Sequence, residues 1–162
     1  MIKPDRWIRE WGSTGGVSPY VPEQVNAASY DIRVCDHWIC PTRDPEEFTA
    51  PYIKLFPGEV VLASTLEYVR IPRAVACDLK LKSTLGRLWI NHSLAGWCDP
   101  GFQGTITLEL QNLGPVPFVL EAGRRIAQLI FIAMESAPDV AYGDPGSSSH
   151  YQGQTGTTKA RR

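Results

Sequence analysis

The stretch Thr105-Ile106-Thr107-Leu108-Glu109-Leu110 decides the fold class of this chain. Its residues alternate strictly between polar and apolar, and successive side chains of a β-strand point to opposite faces of the sheet. The stretch therefore predicts a half-buried strand. Its three apolar side chains lie on one face, and Thr105, Thr107 and Glu109 lie on the other.

Similar strand signals surround this stretch on both sides. Alternating or β-branched residues, separated by Gly and Pro turns, occupy segments 29–34, 59–71, 77–81, 116–120 and 125–134. Residues 4–11 instead predict a short helix, with Pro4 near its start and Gly12 as its end. Many short strands without a long periodic helix predict an all-β fold, a distorted jelly roll or β-barrel with a short N-terminal helix.

Composition limits the classes of function. The 162 residues are 43% hydrophobic, enough for one sizeable core, and 16 Lys+Arg balance 17 Asp+Glu. Without a basic excess, neither nucleic acid nor a membrane surface is an expected partner, so a phosphate site would have to be local. The N-terminus is charged at once and no apolar run approaches the roughly 18 residues of a spanning helix, so we expect a cytoplasmic protein.

The cysteines and histidines do not have the spacing of a zinc site. Four cysteines form no CxxC pair, and three histidines form no HxE or HxxxH pattern. We therefore expect no zinc and interpret the cysteines as small buried or half-buried thiols. A deaminase built on this chain would have to activate water without a bound metal, because zinc deaminases need the missing motifs.

The composition changes after Ala137, which predicts a domain over residues 1–141 and a flexible tail over residues 142–162. Residues 142–149 are rich in Gly, Ser and Pro, whereas residues 151–156 alternate aromatic, amide and glycine residues. Two interpretations stay open for this tail. It is either a disordered terminus or a lid that orders over a ligand.

A basic, hydroxyl-rich segment follows the strand at 77–81. In Lys82-Ser83-Thr84-Leu85-Gly86-Arg87, adjacent hydroxyls, backbone N–H groups and a guanidinium predict a turn that holds phosphate. The same pattern is also typical of a helix cap with a solvated arginine.

Two carboxylates and a histidine are further candidates. Asp99 precedes Pro100-Gly101 and is by itself an ordinary turn residue. Glu109 is a solvated carboxylate if its face meets water, or a proton carrier with a raised pKa if a subunit interface dries it. His92 is expected to be structural or solvent-facing rather than catalytic.

Taken in order, these segments resemble the dCTP deaminase family of the trimeric dUTPase superfamily. Residues 24–33 resemble Q-I-N-P-A-S-Y-D-L-R, residues 82–87 resemble K-S-S-L-G-R, and residues 95–102 resemble A-G-W-I-D-P-G-F. Residues 104–112 resemble G-x-I-T-L-E-L-x-N, residues 123–129 resemble a motif ending in I-G-Q-L, and residues 151–154 match Y-Q-G-Q. The resemblance implies a dUTPase-like fold in which the C-terminal segment is a lid.

The resemblance also implies roles for individual residues. Glu109 would be the general base and acid, and the hydroxyl of Ser83 and the carbonyl of Ala95 would orient the attacking water. Asp99 would hold the deoxyribose 3′-OH. The remaining nucleotide contacts would come from Lys82, Ser83, Thr84, Leu85, Gly86, Arg87, Thr107, Leu108, Gln128, Tyr142, His150 and Gln154. His150 and Leu94 depart from the family pattern, where lysine and threonine are usual.

The resemblance implies a homotrimer with sites between subunits. It also implies that Mg²⁺ binds through the triphosphate of dCTP or dUTP, and that dTTP is a candidate feedback inhibitor. Our first expectation is deamination of dCTP to dUTP and ammonia, which supplies precursors of dTTP. The alternative is a bifunctional enzyme that continues to dUMP, which Gln128 favours. A plain dUTPase is disfavoured by Glu109, and a non-catalytic nucleotide-binding regulator by the intact Glu109, Ser83 and Asp99.

Overall fold

The computed structural model describes residues 1–92 and 95–161, so Leu94 lies outside the described residues. Helix α1 spans Asp5–Trp11 and helix α2 spans Ser83–Arg87, with a wide turn at Gly12–Gly16 and a 3₁₀ turn at Pro22–Gln24. The strands are β1 (Val17–Ser18), β2 (Tyr30–Arg33), β3 (His37–Ile39), β4 (Glu47–Thr49), β5 (Tyr52–Leu55), β6 (Val60–Ser64), β7 (Tyr68–Arg70), β8 (Val75–Leu81), β9 (Ile90–Asn91), β10 (Trp97–Cys98), β11 (Gln103–Gly104), β12 (Thr107–Asn112), β13 (Phe118–Glu121) and β14 (Arg125–Ala133).

The described strands pair into four sheets. The two larger ones have the orders β10-β8-β14-β2 and β4-β3-β6-β12-β9, and the smaller ones are β1-β7-β11 and β13-β5. The predicted all-β class and the short N-terminal helix are confirmed. Over the described residues the sheets do not close into a barrel. Neither of the two α-helices in this part of the chain is long and apolar enough to cross a membrane.

One hydrophobic core joins the two larger sheets. Leu79 and Phe131 enter it from one sheet and Leu108 and Leu110 from the other, all almost fully buried. Trp11 of α1 packs on Phe131 with ring centroids 4.5 Å apart, which fixes the helix against this core. Each such large side chain contributes roughly 1.5–3 kcal/mol when fully buried.

Two segments differ from their sequence-based predictions. The strand predicted over residues 59–71 is divided into β6 and β7, because the Thr65 hydroxyl donates to the Glu67 carbonyl (2.7 Å) and accepts from the Ile106 N–H (2.9 Å). The turn predicted at residues 82–87 is instead the helix α2, whose Leu85 side chain is buried in the core. Hydrogen bonds between the Thr65 side chain and the backbone thus interrupt the strand predicted at residues 59–71. Burial of Leu85 favours a helix at residues 82–87.

Candidate functional site

A cavity of about 580 Å³ lies beside β12 and is lined by Glu109. Its walls come from four parts of the chain: Leu62 of β6, strand β12 and the residues before it, the segment 95–99, and the C-terminal tail. The predicted site residues among its lining are Ala95, Asp99, Thr107, Glu109, Tyr142, His150 and Gln154.

Strand β12 holds Glu109 on the face opposite the core. Leu108 and Leu110 on either side are buried, so the alternation seen in the sequence is realised. Glu109 is nevertheless half-buried, and this burial raises the pKa of its carboxyl above the ordinary value. The sequence left open whether this face meets water or is dried by a neighbouring subunit; in the structure the tail of the same chain lines the cavity beside it.

Ala95 is held by His92, which is structural as predicted. The Leu81 N–H donates to His92 Nε2 (3.1 Å), so the ring proton is on Nδ1 and donates to the Ala95 carbonyl (3.3 Å). Burial lowers the pKa of His92, which keeps the ring neutral and this pairing intact. The neutral histidine therefore connects the end of β8 to one wall of the cavity.

Asp99 lies at the exposed rim of the cavity. The Trp97 indole N–H donates to its carboxylate with a nitrogen–oxygen distance of 3.0 Å. The turn that follows needs glycine, since Gly101 has φ +92° and a Cβ there would lie 2.7 Å from the Tyr142 carbonyl oxygen. Trp97, which sequence reasoning passed over, thus orients the predicted sugar-binding carboxylate.

The tail is docked on its own chain by hydrogen bonds. The buried Gln154 side chain donates from Nε2 to the Thr105 carbonyl (2.7 Å) and accepts the Thr158 hydroxyl at Oε1 (2.7 Å). The hydroxyls of Thr158 and Thr107 are 3.2 Å apart. The tail is therefore docked on its own chain beside the cavity rather than free, and its role as a lid stays a prediction.

The aromatic residues of the tail close one side of the cavity. Tyr142 packs edge-on against Phe102 with ring centroids 5.7 Å apart, and its hydroxyl accepts the Tyr151 N–H (2.9 Å). His150 is exposed at the rim, 6.3 Å from the Tyr151 ring. These contacts place the predicted lid residues against Glu109's cavity.

The predicted phosphate segment is positioned differently. Lys82 Nζ lies 2.6 Å from the buried Asp31 carboxylate, so its charge is already paired. Ser83, Thr84, Gly86 and Arg87 are exposed. Among the described lining residues of Glu109's cavity, none comes from residues 82–87.

Gln128 and Leu108 also lie away from the cavity. The Gln128 side chain accepts the Ser29 hydroxyl (2.8 Å) on β14, opposite Asp31 of β2. Leu108 is only 2% exposed, and its side chain belongs to the core.

The described residues contain no cluster of three or more His, Cys, Asp or Glu side chains that could hold a metal. The four cysteines, all within the described part of the chain, are free thiols, three buried and Cys35 partly exposed, as predicted. The expected absence of zinc stays a prediction for metal analysis.

The fold is of the dUTPase-like class. A solved dCTP deaminase from Agrobacterium tumefaciens superposes with a TM-score of 0.69 at 21% identity, covering 80% of this chain and 47% of that one. The chain thus spans about half the length of that protein. A dUTPase from Streptococcus mutans gives a TM-score of 0.51 at 20% identity, covering 70% and 83%. At these identities the likeness shows the fold alone.

Sequence comparison narrows this class to one family. The family model "dCTP deaminase-like" matches residues 2–134. Proteins named "dCTP deaminase, dUMP-forming" from Bifidobacterium longum (strain DJO10A) and Thermobifida fusca (strain YX) are both 40% identical over 182 aligned positions. These alignments cover 99% of this chain and 94% and 92% of the relatives. The chain belongs to the dCTP deaminase-like family.

Proposed function

We propose that this protein is a bifunctional enzyme that deaminates dCTP and hydrolyses the resulting dUTP to dUMP and pyrophosphate. The observation that carries the deamination step is the half-buried Glu109. Its carboxyl group has a raised pKa, and it lines a cavity beside the C-terminal tail. A carboxyl group whose pKa lies closer to neutrality is the better partner for moving protons in both directions.

In the deamination step, water adds to C4 of cytosine and ammonia leaves. Glu109 takes a proton from the attacking water and passes it to N3. It then takes a second proton from the new C4 hydroxyl and delivers it to the departing amino group, so that ammonia leaves, C4 becomes a carbonyl and the carboxylate is regenerated. We assign the acceptance of a hydrogen bond from this water to the Ala95 carbonyl, which His92 holds at the cavity wall. The raised pKa of Glu109 favours the protonated intermediate form that this transfer needs.

The choice of dUMP over dUTP rests on the relatives. Those aligned over almost the whole chain are named dUMP-forming, which favours the alternative over our first expectation of released dUTP. The second step requires a water at the α-phosphate. We assign its orientation to Asp99, because this carboxylate lies at the rim of the same cavity and is already held by Trp97.

We further propose a homotrimer whose sites are shared between subunits. Ser83, Thr84 and Arg87 are exposed, yet they lie outside the lining of Glu109's cavity in their own chain. A nucleotide beside Glu109 would meet such groups if a neighbouring subunit presented its α2. This arrangement supplies the phosphate contacts that the single chain does not bring to the cavity.

Mg²⁺ fits this site as a partner of the triphosphate rather than of the protein. The rim offers Asp99 as a single carboxylate, and a Mg²⁺ ion bound by phosphates and water needs few protein ligands. When bound, the ion would neutralise phosphate charge. We expect turnover to stop in EDTA and return with Mg²⁺, and elemental analysis of active protein to find zinc well below one ion per chain.

Analysis of the products of dCTP turnover tests the proposed function. Ammonia is measured enzymatically and phosphorus products by ³¹P NMR in the same reaction. Pyrophosphate and ammonia appearing in equal amounts support the bifunctional enzyme. Ammonia with accumulating dUTP would leave a simple deaminase, and pyrophosphate from dUTP without ammonia from dCTP would leave a dUTPase. Binding without either product would indicate a regulator.

A further inference from the structure

Two cysteines face each other across the sheet that forms one wall of the site. Cys77 of β8 and Cys98 of β10 are directly opposed in an antiparallel pair. Opposed residues of antiparallel strands have Cα atoms about 4.5–5.5 Å apart, which lies within the roughly 4.4–6.8 Å range of disulfides. Their side chains leave the sheet on the same face. The family motif that resembles this segment has isoleucine at the position of Cys98.

The two thiols differ in access. Cys77 is fully buried, whereas Cys98 is 5% exposed and lines the cavity that contains Glu109. Burial and the neighbouring Cys98 thiol together raise the pKa of Cys77 well above its ordinary value. A small molecule that enters the cavity therefore reaches Cys98 first, and Cys77 is the thiol behind it.

We propose that Cys77 and Cys98 form an oxidisable dithiol, a modification site that a peroxide reaches through the nucleotide cavity. Cys98 attacks the peroxide oxygen, which gives a sulfenic acid and one molecule of water. The Cys77 sulfur then displaces the sulfenic oxygen as a second water and closes the disulfide. The two thiols lose two electrons and two protons, and hydrogen peroxide is reduced to two molecules of water.

The disulfide would disturb the residues that flank Cys98. Directly opposed Cβ atoms lie about 4.5–5.5 Å apart in a sheet but about 3.8 Å apart in a disulfide, so β10 must move towards β8. Trp97 and Asp99 immediately adjoin Cys98 and share a hydrogen bond. A displacement of about 1 Å at a positioning group costs up to about 100-fold in rate, so oxidation should lower turnover at least about 10-fold.

The test treats the intact protein with hydrogen peroxide and follows thiols and turnover together. Peptide mapping without reduction should find a bond between Cys77 and Cys98, with two of the four thiols lost per chain. The lost fraction of dCTP turnover should rise in proportion to the fraction of chains that carry the bond, and dithiothreitol should restore both the thiols and the turnover. The change in turnover rests on the proposed function, whereas the peptide map does not.

Matched cysteine variants complete the experiment. Cys40→Ala removes a different buried thiol and should still form the bond, whereas Cys77→Ala should not. The site is disproved if wild-type protein keeps all four thiols at peroxide concentrations that oxidise the denatured chain. Its effect on turnover is disproved if bonded chains turn over normally or if turnover falls without the bond. The peptide map of the wild-type protein shows whether the bond between Cys77 and Cys98 forms, even if Cys77→Ala is unstable.

Discussion

Glu109 owes its environment to its own strand and to the C-terminal tail of the chain. Its own strand turns the carboxyl group away from the core, and the tail, through Gln154 and Thr158, then covers that side. An exposed glutamate on an edge strand would keep an ordinary pKa and remain ionised. Covering it raises the pKa without placing a second charge beside it.

Glu109→Gln should reduce dCTP turnover by on the order of 100-fold or more, because the amide keeps the shape but cannot accept a proton. Nucleotide affinity should change little, which equilibrium binding of dCTP can measure. Glu121→Gln, which alters an exposed glutamate on β13, is the matched control and should turn over normally. Near-normal turnover of Glu109→Gln would remove this residue from the mechanism.

The candidate site residues that could be predicted from the sequence are those whose side-chain type, at its place in the pattern, already indicates a chemical role. Glu109 and Asp99 stand out because a carboxylate interrupts an apolar strand or precedes a turn. The pairing of Lys82 with Asp31 could not be predicted, because 51 residues separate them and only the fold brings them to 2.6 Å. The hydrogen bond from Trp97 to Asp99 was equally hidden, since an exposed tryptophan gives no periodic signal.

Among the elements, the C-terminal tail has the largest effect on the site. It begins where Asp144 pairs with Arg73 at 2.6 Å and continues to Thr157, whose hydroxyl donates to the His37 carbonyl (2.8 Å). These contacts attach a polar, glycine-rich segment at both of its ends. The part between them lies over the cavity.

Truncation after Ala141 should leave a folded protein with at least about 10-fold lower turnover, because water would reach the cavity and Glu109 would lose its cover. Circular dichroism and the turnover of dCTP measure the two effects. Lys159→Ser is the control within the tail. It removes only exposed ion pairs with Glu46 and Glu47, so turnover should stay within about twofold. Full turnover by the truncated chain would show that the tail is dispensable.

The longer elements could be predicted because their patterns repeat over enough residues. The alternation at residues 77–81 and 105–110 and the apolar run at 125–134 correspond to β8, β12 and β14. Strands β3, β4 and β5 have three or four residues each and were not predicted. Strand β3 pairs with β6, β4 pairs with β3, and β5 pairs with β13. These short strands depend on such pairing, because a period of two cannot be recognised over so few positions.

For the whole molecule, the separation of α2 from the cavity has a direct consequence. If a neighbouring subunit supplies Arg87, two inactive variants can restore one another within a mixed trimer. Glu109→Gln and Arg87→Ala should each be nearly inactive alone. After unfolding and refolding together in equal amounts, random assembly should give about one quarter of the wild-type sites.

The control for this mixing experiment is each variant refolded separately, which should stay inactive. A second mixture, of Glu109→Gln with a chain truncated after Ala141, asks whether the tail acts on its own chain. Because the tail covers the Glu109 of the same chain, this mixture should recover no activity beyond that of its components. Recovery in the second mixture, or none in the first, would contradict the arrangement.

The burial of Glu109 should also have a cost that appears in the free energy of unfolding. The carboxyl pKa is higher in the folded than in the unfolded chain, so the folded state binds the proton more tightly and loses stability as pH rises through that interval. Glu109→Gln should therefore unfold at a higher temperature than wild type at neutral pH, and the difference should shrink as pH falls towards the ordinary value of 4.5. Thermal unfolding across pH, with Glu121→Gln as the reference, measures this difference. The glutamate that makes deamination possible would then be one that the fold, considered alone, is better without.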